Sequence, residues 1–112
     1  MAQQDHPPMA LAGLKVLDLS RILAGPSATQ LFADLGADVV KVENPDGGDD
    51  TRRWGPPFTG RADGSRGDAA YFSACNRNKR SITVDFASKA GADLLRDLAA
   101  KADIIVENFR PG

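Results

Sequence analysis

Between Gly48 and Pro57 the chain sets two carboxylates, Asp49 and Asp50, beside two guanidinium groups, Arg52 and Arg53, and an indole, Trp54. Arginines so placed can grip a carboxylate through paired N–H donors, and the indole can cover an acyl chain; a surface loop whose arginines pair with its own aspartates uses the same residues. Two adjacent carboxylates with no His nearby rarely complete a metal site, so no metal is assigned. A second cationic group, Asn76-Arg77-Asn78-Lys79-Arg80, is too short for a nucleic-acid patch and has no aromatic interleaving. It suits a local phosphate contact or the salt-bridged start of a strand. Cys75, the only cysteine, stands beside these cations, a setting that can acidify a thiol, yet a small buried core residue is its commoner role. The only histidine, His6, lies in a polar leader, so no Ser/His/Asp set can be assembled and no catalytic residue is assigned.

The 112 residues, 42% hydrophobic, suffice for one compact domain with a modest core. Charge is unevenly spread: residues 51–80 carry seven Lys/Arg against two Asp/Glu in a chain of net charge −1. General nucleic-acid binding is disfavoured, and a local anion-binding region is the sharper reading of that basic stretch. No apolar run approaches the roughly 20 residues of a membrane span, and the N-terminus has no secretory pattern. One cysteine forms no internal disulfide, and a cytoplasmic location is expected by default.

These groups need a frame. Residues 1–10, with Pro7 and Pro8 and no period, read as a disordered leader. Lys15–Leu19 is short and apolar, as a strand buried on both faces would be. Gly25-Pro26 offers a helix start with Pro at the first helical position; Ala28, Leu31, Phe32 and Leu35 then fall on one face, and Gly36 stops the helix. Val39–Glu43 is a second strand, closed by Asn44-Pro45, so the segment reads as a βαβ unit with a parallel sheet. Residues 44–69 show no clear period and are expected to be a long functional or disordered loop. Residues 69–74 suit a short helix or a short strand. Ser81–Asp85 is a third strand, Ser88 an N-cap for a helix to about Lys101 with Leu94, Leu95, Leu98 and Ala102 buried, and Asp103–Glu107 a fourth strand. The order predicts an α/β fold: an open parallel Rossmann-like sheet, incomplete, with residues 11–112 forming the first portion of a domain cut short.

Ligands of such sheets sit beyond the C-terminal ends of the strands, where residues 20–26, the segment from Asn44 and residues 107–112 converge. No Gly-x-Gly-x-x-Gly follows the first strand and no P-loop occurs, which disfavours ordinary dinucleotide or NTP binding. The helix start at Gly25–Ala28 is either an anion-holding N-terminus or a packing turn.

Six segments read in order, Leu11–Arg21, Leu23–Pro26, Leu35–Glu43, Gly48–Arg52, Asn78–Ile82 and Ala102–Gly112, resemble the family III CoA-transferases. The resemblance implies an enzyme that transfers coenzyme A between an acyl-CoA and a small carboxylic acid, through covalent intermediates on an Asp beyond Gly112. Acyl-CoA is then substrate, no cofactor is permanently bound, and the parent is an interlocked homodimer. The chain by itself is expected to be inactive and self-associating. Position by position, Ile22, Leu23 and Ala24 match the loop at the thiol and pantetheine end, Val84 and Phe86 flank the adenine, and Asn108 and Phe109 hold the pantetheine and adenosine. Some members have a basic residue where Asn44 stands, so phosphate binding is expected either to be weaker or to fall to Lys79 and Arg80. An α-methylacyl-CoA racemase, an isomerase of the same fold, and a non-enzymatic CoA- or nucleotide-binding module are the alternatives.

Overall fold

A computed structural model describes residues 7–111 of the chain. His6 and most of the expected leader lie outside the described residues. The frame is α/β, as the alternation of apolar runs and amphipathic segments predicts. Four strands, β1 (Lys15–Asp18), β2 (Asp38–Glu43), β5 (Arg80–Thr83) and β6 (Ile104–Val106), form one parallel sheet in the order β5-β2-β1-β6. Val16 stands opposite Val39 on one side and Ile104 on the other, so the apolar middle of β1 has strands on both sides. The chain reverses its direction of sheet growth between β1 and β6, the arrangement that opens a crevice at the strands' C-terminal ends.

Helix α1 (Ala24–Asp34) connects β1 to β2 and α3 (Lys89–Lys101) connects β5 to β6. α3 begins as its sequence dictates: the Ser88 hydroxyl accepts from the Gly91 amide, satisfying one orphan donor of the first turn. Leu95, Leu98 and Ala102 pack on Leu17, Val42 and Val84, while Leu94, expected in that stripe, is 45% exposed. α1 differs more. It starts at Ala24, so Pro26 is the third helical residue, still in the turn whose N–H groups have no intrahelical partner. Its buried face is Pro26, Thr29 and Ala33, and Ala28, Leu31 and Leu35 are exposed. The reason is polar: Thr29 Oγ1 donates to Asp18 Oδ2 at 2.6 Å, and that buried bond fixes the helix rotation. Gly36 ends the helix as expected, at φ +103°.

Residues 44–69 are not a structureless loop. A 3-10 turn at Asp50–Arg53 is followed by an antiparallel pair, β3 (Phe58–Gly60) and β4 (Arg66–Ala69), which leads directly into the short helix α2 (Ala70–Cys75). Trp54 meets Tyr71 edge to face at 5.6 Å, and the Arg52 guanidinium lies 3.7 Å over the Phe72 ring. No helix among the described residues is long and apolar enough to cross a membrane.

Candidate functional site

At the C-terminal ends of β1 and β2 a cavity of about 200 Å³ opens. Its apolar wall is Leu19, Val42, Phe86 and Phe109; the two phenylalanine rings, from the segments after β5 and β6, meet edge to face at 5.9 Å. Its polar wall comes from Arg21, Asn44 and a charged cluster beneath them.

That cluster explains the Gly48–Arg52 motif. The Lys41 and Asp49 side chains, 1% and 0% exposed, form an ion pair at 2.9 Å. Lys41 Nζ also donates to the Ser20 carbonyl at 3.0 Å. Asp49 accepts from the Thr51 amide and hydroxyl and, through both oxygens at 3.2–3.3 Å, from the Ile22 amide. Burial alone would raise the Asp49 carboxyl, but Lys41 and Thr51 hold it below the usual carboxylate range. Beside it, Glu43 accepts from the Asp49 amide, from Arg52 Nε and Nη2, and from the Ser81 hydroxyl. Here too burial acts upward and is outweighed, leaving the carboxyl at about 2. Arg52 reaches on to Asp68 at 2.7 Å, and Arg53 pairs with Asp50 and the Gly47 carbonyl. The loop's arginines therefore pair with acids of this chain. Among the described residues no group of three metal-ligating side chains forms.

The loop after β1 carries a backbone strain. Ile22, β-branched, stands at φ +75°, a conformation that costs roughly 1–3 kcal/mol. One residue earlier, Asn108 receives the Arg21 amide at 3.2 Å and donates to the Arg21 carbonyl at 2.8 Å. One turn later, Gly25 lies against Ser20, where an added Cβ would fall 2.3 Å from the Ser20 Cβ. A second buried centre supports this crossing: Asp18 accepts from the Ser20 amide and hydroxyl, from Thr29 and from Lys79.

Of the residues assigned from the sequence, Phe86 and Phe109 line the cavity, and Asn108 fixes its rim through Arg21. Val84 lies one layer below, in the core with Leu17 and Val42. Ile22, Leu23 and Ala24 form the link from the rim to α1, with Leu23 51% exposed. Lys79 and Arg80 do not join them. The Lys79 side chain is 2% exposed, and its amino group is spent on Asp18, the Pro26 carbonyl and Asn76 Oδ1 at 2.9–3.1 Å. Arg80 is the first residue of β5, paired with Asp38, the first of β2, so it sits at the opposite edge of the sheet. Cys75 is buried. The residues missed are Arg21, which lines the cavity and forms no ion pair with the described residues, and Lys41 with Glu43. A signal for the latter exists in the sequence: charged side chains inside a strand buried on both faces must find partners there.

The profile of CoA-transferase family III matches residues 11–112. A succinate–glutarate CoA-transferase of Agrobacterium fabrum is 56% identical over 100 residues, which are 89% of this chain and 25% of that protein. The human succinyl-CoA:glutarate CoA-transferase is 50% identical over 102 residues, 91% of this chain and 22% of that one. A crystal structure of a CAIB/BAIF family protein from Brucella suis superposes with a TM-score of 0.84 at 58% identity, covering 92% of this chain and 26% of that one. The chain thus spans about a quarter of the length of the curated relatives it matches.

Proposed function

We propose that this chain, which belongs to CoA-transferase family III, supplies one wall of a coenzyme A site in a protein that moves CoA between an acyl-CoA and a small carboxylic acid. The observation that carries this reading is the cavity at the sheet's C-terminal edge with two aromatic rings on one side and Arg21 on the other. Flat apolar faces suit an adenine, and an arginine that forms no ion pair with the described residues suits the phosphates that adenosine carries. Asn108 serves this site by holding the Arg21 backbone, so that its amide acts on the ligand through the rim. Arg21 takes the phosphate role that the enclosed Lys79 and the distant Arg80 cannot fill. The transferred acid is a small dicarboxylate, a reading supported by the succinate and glutarate in the names of the two relatives above.

The wall binds and orients; the nucleophile is assigned to no residue of this chain, and acyl-CoA turnover by the chain alone is expected to be nil. Calorimetric titration with CoA tests the wall directly. Weak binding is expected, lost in Phe109→Ala and weakened about tenfold in Asn108→Ala, the scale of one or two hydrogen bonds. Equal affinity in wild type and both variants removes these residues from the site.

A further inference from the structure

Three consecutive residues at the rim have backbone groups held by side chains from three separate segments. Lys41 of β2 takes the Ser20 carbonyl, Asn108 after β6 takes both backbone groups of Arg21, and Asp49 before the 3-10 turn takes the Ile22 amide. Two of the three grips belong to one buried ion pair. Lys41 and Asp49 border the cavity, yet each has its charge met by the other, so neither offers a charge to a ligand. What the pair can control is the shape of the loop. Ile22 would leave φ +75° if its amide were released, since a β-branched residue prefers negative φ. Releasing it would swing Arg21 on one side and Leu23 and Ala24 on the other. We propose that Lys41 and Asp49 are positioning residues: the pair holds Ser20-Arg21-Ile22 in its strained turn, and thereby sets Arg21 and the Ile22–Ala24 segment for the coenzyme. This rests on the CoA reading for its ligand but on the geometry of this chain for its mechanism.

Neutral replacements of both partners avoid stranding a buried charge. Lys41→Met/Asp49→Leu removes every acceptor for the Ile22 amide, whereas Lys41→Met/Asp49→Asn keeps one. Hydrogen exchange read by mass spectrometry should quicken about tenfold or more over residues 19–24 in the first variant and much less in the second, with residues 15–18 of β1 unchanged in both. Unchanged exchange over residues 19–24, or an equal rise in β1 in both variants, overturns the proposal. Ile22→Gly supplies an independent arm, because glycine adopts positive φ freely. CoA affinity should fall about tenfold on Lys41→Met/Asp49→Leu in the Ile22 protein but less than about threefold in the Ile22→Gly background. Equal losses in both backgrounds mean a merely structural pair and sink the proposal. If the unsubstituted chain does not bind CoA, the functional reading fails, and the exchange data still decide the role of the pair.

Discussion

The Glu43 carboxylate receives the Asp49 amide, a bidentate guanidinium from Arg52 and the Ser81 hydroxyl, and its side chain is 4% exposed. Its pKa in the folded chain, about 2, lies below the ordinary 4.5, so between those values the unfolded chain binds more protons. Stability from this group is therefore complete above about pH 4.5 and is lost as pH falls toward 2, up to roughly 3 kcal/mol. Urea unfolding at a series of pH values checks this. Glu43→Gln should flatten the dependence across that window, and an unaltered slope rules the group out as its source. Arg52→Ala, which leaves the carboxylate buried without its main partner, should cost about 3–5 kcal/mol at neutral pH. Little of this was legible in residues alone. Asp49, Asp50, Arg52 and Arg53 lie within one short segment, and sequence proximity cannot tell that Arg52 turns inward to Glu43 while Arg53 stays with Asp50. For Lys79 the residues left two readings, a phosphate contact or the salt-bridged start of a strand, and the buried Asp18 carboxylate, which the sequence does not place beside it, decides for the second.

At the level of elements, the sheet strands and α3 follow from short β-branched runs and from a Ser88 cap, because those patterns report burial and hydrogen bonding that are local. The face of α1 does not follow. Of the predicted stripe Ala28, Leu31, Phe32 and Leu35, only Phe32 packs against the core, because the Thr29–Asp18 bond and the contact of Gly25 with Ser20 turn the small side inward. Both are polar or steric contacts between the helix and the segment that leads into it, which periodicity does not register. The hairpin β3–β4 was missed because Phe58-Thr59-Gly60 and Arg66-Gly67-Asp68-Ala69 are mostly polar or small and hold no run of apolar β-branched residues, the pattern that marks the sheet strands. The close approach gives a sharp test. Gly25→Ala places a methyl group 2.3 Å from the Ser20 Cβ, so the helix start must shift, at a cost of about 1–3 kcal/mol in denaturant unfolding. Ser20→Gly in the same chain removes the opposing atoms and should restore part of the loss. A Gly25→Ala variant as stable as wild type shows that the first turn of α1 tolerates movement.

For the molecule as a whole, what is buried matters less than what is not. Among the described residues the buried apolar set is Val, Ala, Cys and one Leu, and the largest fully buried side chain is Lys41. Met9, Leu23, Leu31, Leu35, Trp54, Leu94, Ile105 and Phe109 are all 41% or more exposed. Ile105 belongs to β6, which pairs with β1 on one side and on the other has no strand among the described residues. Exposed apolar area combined with an unpaired strand edge favours association with any matching surface. Leu31 and Leu35, one turn apart on the outer side of α1, give that association a defined face. The chain in isolation should therefore self-associate. Sedimentation should show a weight-average mass that rises with concentration, and Leu31→Lys/Leu35→Lys should lower it without loss of helix, since both positions lie away from the buried face of α1. A sharp monomer boundary at all concentrations contradicts the argument. A mass that rises equally in wild type and variant moves the contact from α1 to the β6 edge, where Ile105→Lys is the corresponding change. Either contact leaves the cavity at the strands' C-terminal ends to be judged by CoA titration at concentrations where the association state is constant.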